Sequence, residues 1–316
     1  MTEVVVALDV GGTSIKCALV GRDGEVLLTR RVPTGRDRGP EAIVETILST
    51  AAELTAVEGY TPRAVGLVVP GVINAADGIA VYASNLGWRN VPFRELVEAR
   101  VGLPTALGHD VRAGGLAEAR LGGGRGSRQL LFVAIGTGIA GAHFIDGAAL
   151  AGAHGSACEL GHVVVRPDGP VCGCGQRGCV ESMASAVTFE RRYAEAAGRS
   201  LDAAAIIAAI DDDPVAARIW QETVEVLADG LLVGMAMLDP DTIVLGGGLA
   251  EAGERLLNPL RDRLTANATF HTVPRLVNAE LGDTAGCVGA ALLGLERLDD
   301  LAETAPDNQT DPKPAL

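Results

Sequence analysis

Residues 4–20 read VVVALDVGGTSIKCALV, an apolar run that ends on Asp9, turns through Gly11-Gly12-Thr13, and resumes from Ile15. β-Branched residues on both sides of a Gly/Thr turn predict a buried hairpin. The Asp23-Gly24 turn and the run 25–32 add a third strand and make a meander. The same device returns at 129–147, where strand 129–135, the turn Gly136-Thr137-Gly138, strand 140–145 and Asp146-Gly147 follow one another. A third glycine cluster, Gly246-Gly247-Gly248, ends the strand 242–245 ahead of a helix from about Gly253. Between these, 41–54 has the i, i+3, i+4 apolar stripe of an amphipathic helix, and 64–69 is a buried strand ending at Pro70-Gly71. The pattern as a whole is α/β.

Glycine supplies 41 of 316 residues, and its excess sits largely at strand ends, where a missing Cβ lets a backbone or ligand approach closely. One such pair would be a sharp turn; three in one α/β chain favour a phosphate site. Asp9 beside Gly11, Gly12 and Thr13 offers a carboxylate for a metal-bound water next to N–H and hydroxyl donors for phosphate oxygens. An Asx turn capping the hairpin is the structural alternative. No Gly-Lys-Ser/Thr follows, and Ser14-Ile15 leads into a strand, so the turn is neither a Walker loop nor a dinucleotide fingerprint.

At a prior of ~150 residues per domain, this length suggests two domains. With 48% hydrophobic and 21% charged residues the composition is that of a globular chain. The formal charge of −14 disfavours binding to a nucleic-acid backbone or to an anionic membrane, both of which need cationic surface. No run approaches the ~18 apolar residues of a membrane span, and the acidic start, Met1-Thr2-Glu3, is unlike a secretion signal; a cytoplasmic protein is expected. From Leu298 onward apolar periodicity fades, and a frayed tail is expected.

Two further places carry chemistry. Asp110 stands between the strand 105–108 and the helical pattern 112–121, a position that suits either a helix N-cap or a general base facing a cleft. Glu159-Leu-Gly-His162 is followed by Cys172-Gly-Cys174 and Cys179-Val-Glu181. Three thiolates and one imidazole make a closed tetrahedral zinc site, His162, Cys172, Cys174 and Cys179, structural because no coordination position stays open. Free thiols are the alternative, since a Cys172–Cys174 disulfide would close a strained ring. The site would fix the interleaved Glu159, His162 and Glu181.

In order, Asp9-x-Gly-Gly-Thr13, Pro70-Gly71, Asn85-Leu-Gly-Trp88, Gly136-Thr137-Gly138, Glu159-x-Gly-His162, the cysteine loop and Ile243-Val-Leu-Gly-Gly-Gly248 span about 4 to 297. The ordered set resembles the ROK family of repressors and sugar kinases. The resemblance implies a two-domain actin-like, or ribonuclease-H-like, ATPase fold with an interdomain cleft. Its smaller domain would comprise 1–112 plus 286–298 and its larger domain 113–285 with the zinc loop, leaving 299–316 as a flexible tail. It also implies that Asp9, Gly11, Gly12, Thr13, Thr137 and Gly138 surround the phosphates of ATP and Mg2+, with Gly246, Gly247 and Gly248 by the nucleoside. Gly71, Asn85, His109, Asp110, Glu159, His162 and Glu181 match sugar-binding positions, with Asp110 the base for the sugar hydroxyl and His162 shared between zinc and sugar.

The implied activity is transfer of the γ-phosphoryl group to the 6-hydroxyl of a hexose, glucose first. N-acetylglucosamine or N-acetylmannosamine kinases, or a catalytically impaired sugar-binding protein, are the alternatives. A homodimer or homotetramer is implied. Repressors of the family carry a helix-turn-helix segment ahead of the first motif, which here begins eight residues from the start, so DNA reading is not expected. Two positions depart from the family. Gly108-His109-Asp110-Val111-Arg112 replaces Glu-Asn-Asp-Ala-Asn, and Ala140 replaces a glycine, where a Cβ is expected to crowd the phosphate turn. A His beside Asp110 is expected to charge near neutral pH, so that activity on glucose is low, rises between about pH 6 and 8, and increases in His109→Asn.

Overall fold

The structure, a computed structural model, describes residues 1–304. Its N-terminal half runs β1 (Thr2–Val10), β2 (Ser14–Val20), β3 (Val26–Pro33), α1 (Pro40–Thr55), β4 (Tyr60–Val69), three short strands β5 (Val72–Asn74), β6 (Ile79–Ala83) and β7 (Trp88–Val91), α2 (Phe93–Val101), β8 (Thr105–His109) and α3 (Asp110–Leu121). The long strands make one sheet in the order β3-β2-β1-β4-β8, antiparallel within the hairpins and parallel from β1 outward to β8. Val4, Val6, Leu8 and Val10 on one face of β1 pack with Ile43, Ile47 and Leu54 of α1, while Val5 and Ala7 face the other way. Pro40 at the start of α1 fits because its missing N–H would have no intrahelical partner there.

The second half runs β9 (Gln129–Ile135), β10 (Ile139–Ile145), β11 (Ala148–Ala149), α4 (Val180–Ala184), α5 (Ala186–Ala197), α6 (Ala203–Ala208), α7 (Pro214–Leu238), β12 (Thr242–Gly246), α8 (Glu254–Asn267), β13 (Arg275–Asn278) and α9 (Ala285–Thr304). Its sheet order, β11-β10-β9-β12-β13, repeats the first topology strand for strand: antiparallel hairpins, then parallel strands. α7 starts at Asp213, whose carboxylate accepts from the N–H groups of Val215 and Ala216, and it buries Ile219, Trp220, Val224, Leu227, Leu231 and Met235.

Two segments join the halves. α3 leaves the first sheet at Asp110 and packs Leu116 against Phe132 and Phe144 of the second. The chain returns after β13, and α9 packs Cys287, Ala290 and Ala291 on β1 and β4. That approach needs glycine: a Cβ on Gly66 would overlap the Ala290 carbonyl, and one on Gly289 the Ala113 carbonyl. Fully buried Glu118 ties the segments together, its carboxylate accepting from the N–H groups of Gly123, Glu280 and Leu281 at 2.8–3.0 Å. α9 continues to Thr304, so the fraying expected from Leu298 is corrected over its first residues, where Asp299 pairs with Arg22. Residues 305–316 of the expected tail lie outside the described residues. Among the described residues no helix is long and apolar enough to cross a membrane.

Candidate active site

The β1–β2 turn is held by three hydrogen bonds: Gly11 N–H to Ser14 O at 2.9 Å, Thr34 N–H to Thr13 O at 3.0 Å, and Thr34 Oγ1 to Gly11 O at 2.8 Å. Among the described residues the Asp9 carboxylate takes no part in them, so the Asx-turn alternative finds no support. Asp9 instead faces Lys16, its partner across the hairpin, whose Nζ lies 3.9 Å away and also pairs with Asp283 at 2.5 Å. The start of α9 comes so close that a Cβ on Gly286 would overlap the Asp9 carboxylate. Burial and then the neighbouring charge of Asp110 push Asp9 up to about 6, against the pull of Lys16.

The β9–β10 turn has no acid of its own. Gly136 N–H bonds Gly138 O at 2.9 Å, and Ile139 N–H donates to Glu181 Oε2 at 2.9 Å. Thr137 and Glu181 line an open cavity of about 420 Å³ with Cys172, Ser182, Ser185 and Thr188. Ala140, expected to crowd this turn, lies in β10 opposite Ala134 and is not among the residues of positive φ, so its methyl brings no backbone strain. Gly247 has φ +84°, and a Cβ there would lie 2.5 Å from the Ile135 carbonyl oxygen. Gly246 and Gly247 line a cavity of about 220 Å³ together with Lys16, Glu251, Asn278 and Asp283. Sequence reading missed these four. Lys16 had one signal, its place opposite Asp9 in a two-residue alternation; Asp283 had none, because only folding brings it to the hairpin.

Asp110 is the first helical residue of α3, and its Oδ1 accepts from Val111 N–H at 2.7 Å. The N-cap position belongs to His109, whose side chain caps nothing. Solvent reaches 29% of the Asp110 side chain, yet protein encloses the carboxyl closely enough that burial raises its pKa, with the Val111 N–H and Arg112 pulling the other way. His109 Nδ1 lies 3.2 Å from Asp110 Oδ1 but is not aligned as a hydrogen bond and finds no other partner. Burial, then the Arg112 guanidinium, push His109 down to about 4, outweighing Glu159. The expected charging of His109 near neutral pH is therefore corrected: desolvation and the charge of Arg112 exceed the attraction of Glu159, and the expected rise of activity between about pH 6 and 8 loses its cause.

Asn85 sits close to the phosphate turn, its Nδ2 3.9 Å from where a Cβ on Gly12 would be, and Gly71 takes φ +93° against the Tyr82 carbonyl. Glu159 is exposed at the start of the short 3-10 turn Leu160–His162. The donor atoms of His162, Cys172, Cys174 and Cys179 all lie within 4.8 Å of one another. His162 Nδ1 is 3.6 Å from Cys172 Sγ, and Cys174 Sγ is 3.7 Å from Cys179 Sγ. Bonds of ~2.3 Å to sulfur and ~2.0 Å to nitrogen in a tetrahedron put neighbouring donors ~3.5–3.8 Å apart, so the set fits zinc. Cys179 immediately precedes α4, and Glu181 in that helix's first turn lies 4.0 Å from Cys172 Sγ, which links the cysteine cluster to the Gly138 turn.

The family model of the ROK family matches residues 5–297. A glucokinase of Streptomyces coelicolor is 34% identical over 314 residues, covering 93% of this chain and 98% of that protein. An N-acetylmannosamine kinase of Citrobacter koseri is 33% identical over 292 residues, covering 91% and 97%. Among solved structures, a ROK family glucokinase from Streptomyces griseus in complex with glucose and AMPPNP superimposes with a TM-score of 0.81 at 32% identity, covering 93% of this chain and 99% of that one. The fold is the two-domain actin-like ATPase fold expected from the motifs. With matching motifs, duplicated sheets and relatives aligned end to end, the chain belongs to the ROK family.

Proposed function

We propose that the protein is an ATP-dependent hexose kinase that phosphorylates the 6-hydroxyl of glucose. The observation that carries this reading is the placing of two carboxylates on different elements: Asp9, at the end of β1 beside the hydrogen-bonded Gly11–Thr13 turn, and Asp110, at the head of α3 beside His109. One suits a cation with phosphate, the other a hydroxyl. The glucokinase relatives support the choice of glucose.

In this reading Gly11, Gly12, Thr13, Thr137 and Gly138 present N–H and hydroxyl donors to the phosphates, and Gly246, Gly247 and Gly248 flank the nucleoside. Asp9 would hold Mg2+ through its carboxylate, and the bound cation supplies neutralisation of phosphate charge. A neighbouring dication also favours the ionised form of a carboxylate that burial otherwise pushes up to about 6. Gly71, Asn85, His109, Glu159, His162 and Glu181 orient the sugar. Asp110 Oδ accepts the proton of the attacking hydroxyl, and its raised pKa makes it a stronger base than an ordinary carboxylate.

The zinc is structural: four protein donors close its sphere, so it supplies rigidity to the stretch that carries Glu181. We assign 1–112 with 286–298 to a smaller domain and 113–285 to a larger one. A cytoplasmic homodimer or homotetramer that binds neither nucleic acid nor membrane completes the reading.

A coupled ADP-release screen over glucose, mannose, fructose and the N-acetylhexosamines tests it. Glucose is expected to turn over fastest. Preference for N-acetylmannosamine or N-acetylglucosamine reassigns the sugar, sugar binding without phosphorylation makes the chain a sugar-binding protein, and no turnover with any sugar overturns the kinase.

A further inference from the structure

Arg112, in the first turn of α3, stands where the family pattern has Asn, and the proposed chemistry leaves it unused. It is half-buried, and its Nη1 donates 2.8 Å to the carbonyl of Gly155, 43 residues away in the connection between β11 and the Leu160–His162 turn. Gly155 takes φ +75°, and a Cβ there would lie 3.4 Å from the Ile73 carbonyl oxygen of β5. The 150–158 connection therefore lies between a strand of the first half and the helix that carries Asp110. Within it Ala157 N–H bonds Ala151 O at 3.2 Å, and Leu150 N–H holds its start to His143 O of β10 at 2.8 Å. The guanidinium of Arg112 adds a hold on it from α3.

We propose that Arg112 is a positioning residue that ties the 150–158 connection to α3 and supplies the cationic charge that balances Asp110 and Glu159 in the sugar cleft. The inference rests on the kinase reading for its catalytic consequence and on geometry alone for the tie.

The charged groups around Asp110 make the balance concrete. His109 is adjacent, its Nδ1 3.2 Å from Asp110 Oδ1, and neutral at physiological pH; the charge of Asp110 acts on Asp9, and that of Glu159 on Arg112. Arg112 opposes the burial that raises Asp110, and it attracts both Asp110 and Glu159, which partly offset the cost of its own burial. An Asn at this position would neither carry the charge nor span to Gly155. Guanidinium geometry matters for the tie, because a planar fork can hold a carbonyl and still face a carboxylate, whereas an ammonium on a flexible stem supplies charge without that span.

Two variants separate the functions, Arg112→Met removing charge and tie and Arg112→Lys restoring charge alone. In Arg112→Met the acid limb of the kcat/KM profile for glucose is expected to move up by about one pH unit, with KM for glucose rising about tenfold and KM for ATP changing less than twofold. Arg112→Lys should return the acid limb to the parent position while leaving KM raised. Hydrogen exchange over 151–157 reads the tie without turnover, and both variants should exchange at least tenfold faster than parent there. Unchanged exchange in both variants overturns the tie, and an acid limb unmoved in Arg112→Met overturns the charge role. If the parent phosphorylates no sugar, the kinase reading and the charge role attached to it fall, while hydrogen exchange still decides the tie.

Discussion

At the first hairpin turn the carboxylate, Asp9, is part of the strand itself; at the second, Gly136–Gly138, the strand offers none, and Glu181 reaches in from α4. The two sheets share the order of their parallel and antiparallel neighbours. One half positions its charge by backbone pairing alone. The other does so through a helix that directly follows a loop bearing four gathered soft or borderline donors, so in the proposed reading its geometry is conditional on a metal.

Asp110 heads the helix that crosses between the halves, and its replacement should have the largest effect. Asp110→Asn is expected to lower kcat by ~10²–10⁴-fold with sugar and ATP affinities nearly unchanged. Retention of more than about a tenth of parent turnover would leave Asp110 with a role in the helix start only.

One added methyl group in each half separates the two arrangements. In Gly286→Ala the new Cβ meets the Asp9 carboxylate, a short side chain fixed on a strand, and in Gly138→Ala it comes 2.5 Å from Glu181 Oε2, the end of a longer arm. Displacement of a fixed group by ~1 Å can cost 10²-fold. We expect about that loss in kcat/KM for ATP from Gly286→Ala, and about tenfold or less from Gly138→Ala. Equal losses would erase the distinction between a rigid and an adaptable carboxylate.

Metal dependence should be confined to one half. Cys174→Ser is expected to lose most bound zinc by elemental analysis and to raise KM for glucose about tenfold, with KM for ATP little changed. A zinc-free protein of parental sugar affinity would uncouple Glu181 from the cysteine loop.

The smallest effect concerns stability. Asp9 rises from an ordinary 3.8 to about 6 in the fold, so the native state binds the proton more tightly than the unfolded chain. Its contribution is fully present below pH 3.8 and is lost as pH rises through 6. The difference corresponds to at most about 3 kcal/mol. Asp9→Asn should therefore raise Tm of the ligand-free protein by several degrees at pH 8, an advantage that shrinks toward pH 4. A Tm difference independent of pH would assign the effect to packing.

Both hairpins, the glycine clusters and the cysteine spacing were legible because each is a local pattern: alternation, a turn residue, a ligand interval. Strands 129–135 and 242–246 emerge from the sequence within a residue. The short strands β5 to β7 do not, since three to five residues carry too little alternation. α9 past Leu298 was missed because Asp299, Asp300 and Glu303 break the apolar stripe, although the helix runs on to Thr304. His109 shows the deeper limit. Its neighbour in sequence pointed to a charged imidazole, but burial, a property of the whole fold, reverses that sign. Arg112 and Asp283 belong to the same class, their partners lying 43 and 267 residues distant or more closely reached only across the fold.

A body joined to another by two segments swings most freely about the line through both joints. Here Glu118 holds the two crossings side by side. One crossing begins at Asp110, and the other leads into the turn where Gly286 touches Asp9. The two carboxylates thus sit at the crossings. Any opening of the cleft about these crossings would displace Glu181 and the cysteine loop further than the two carboxylates.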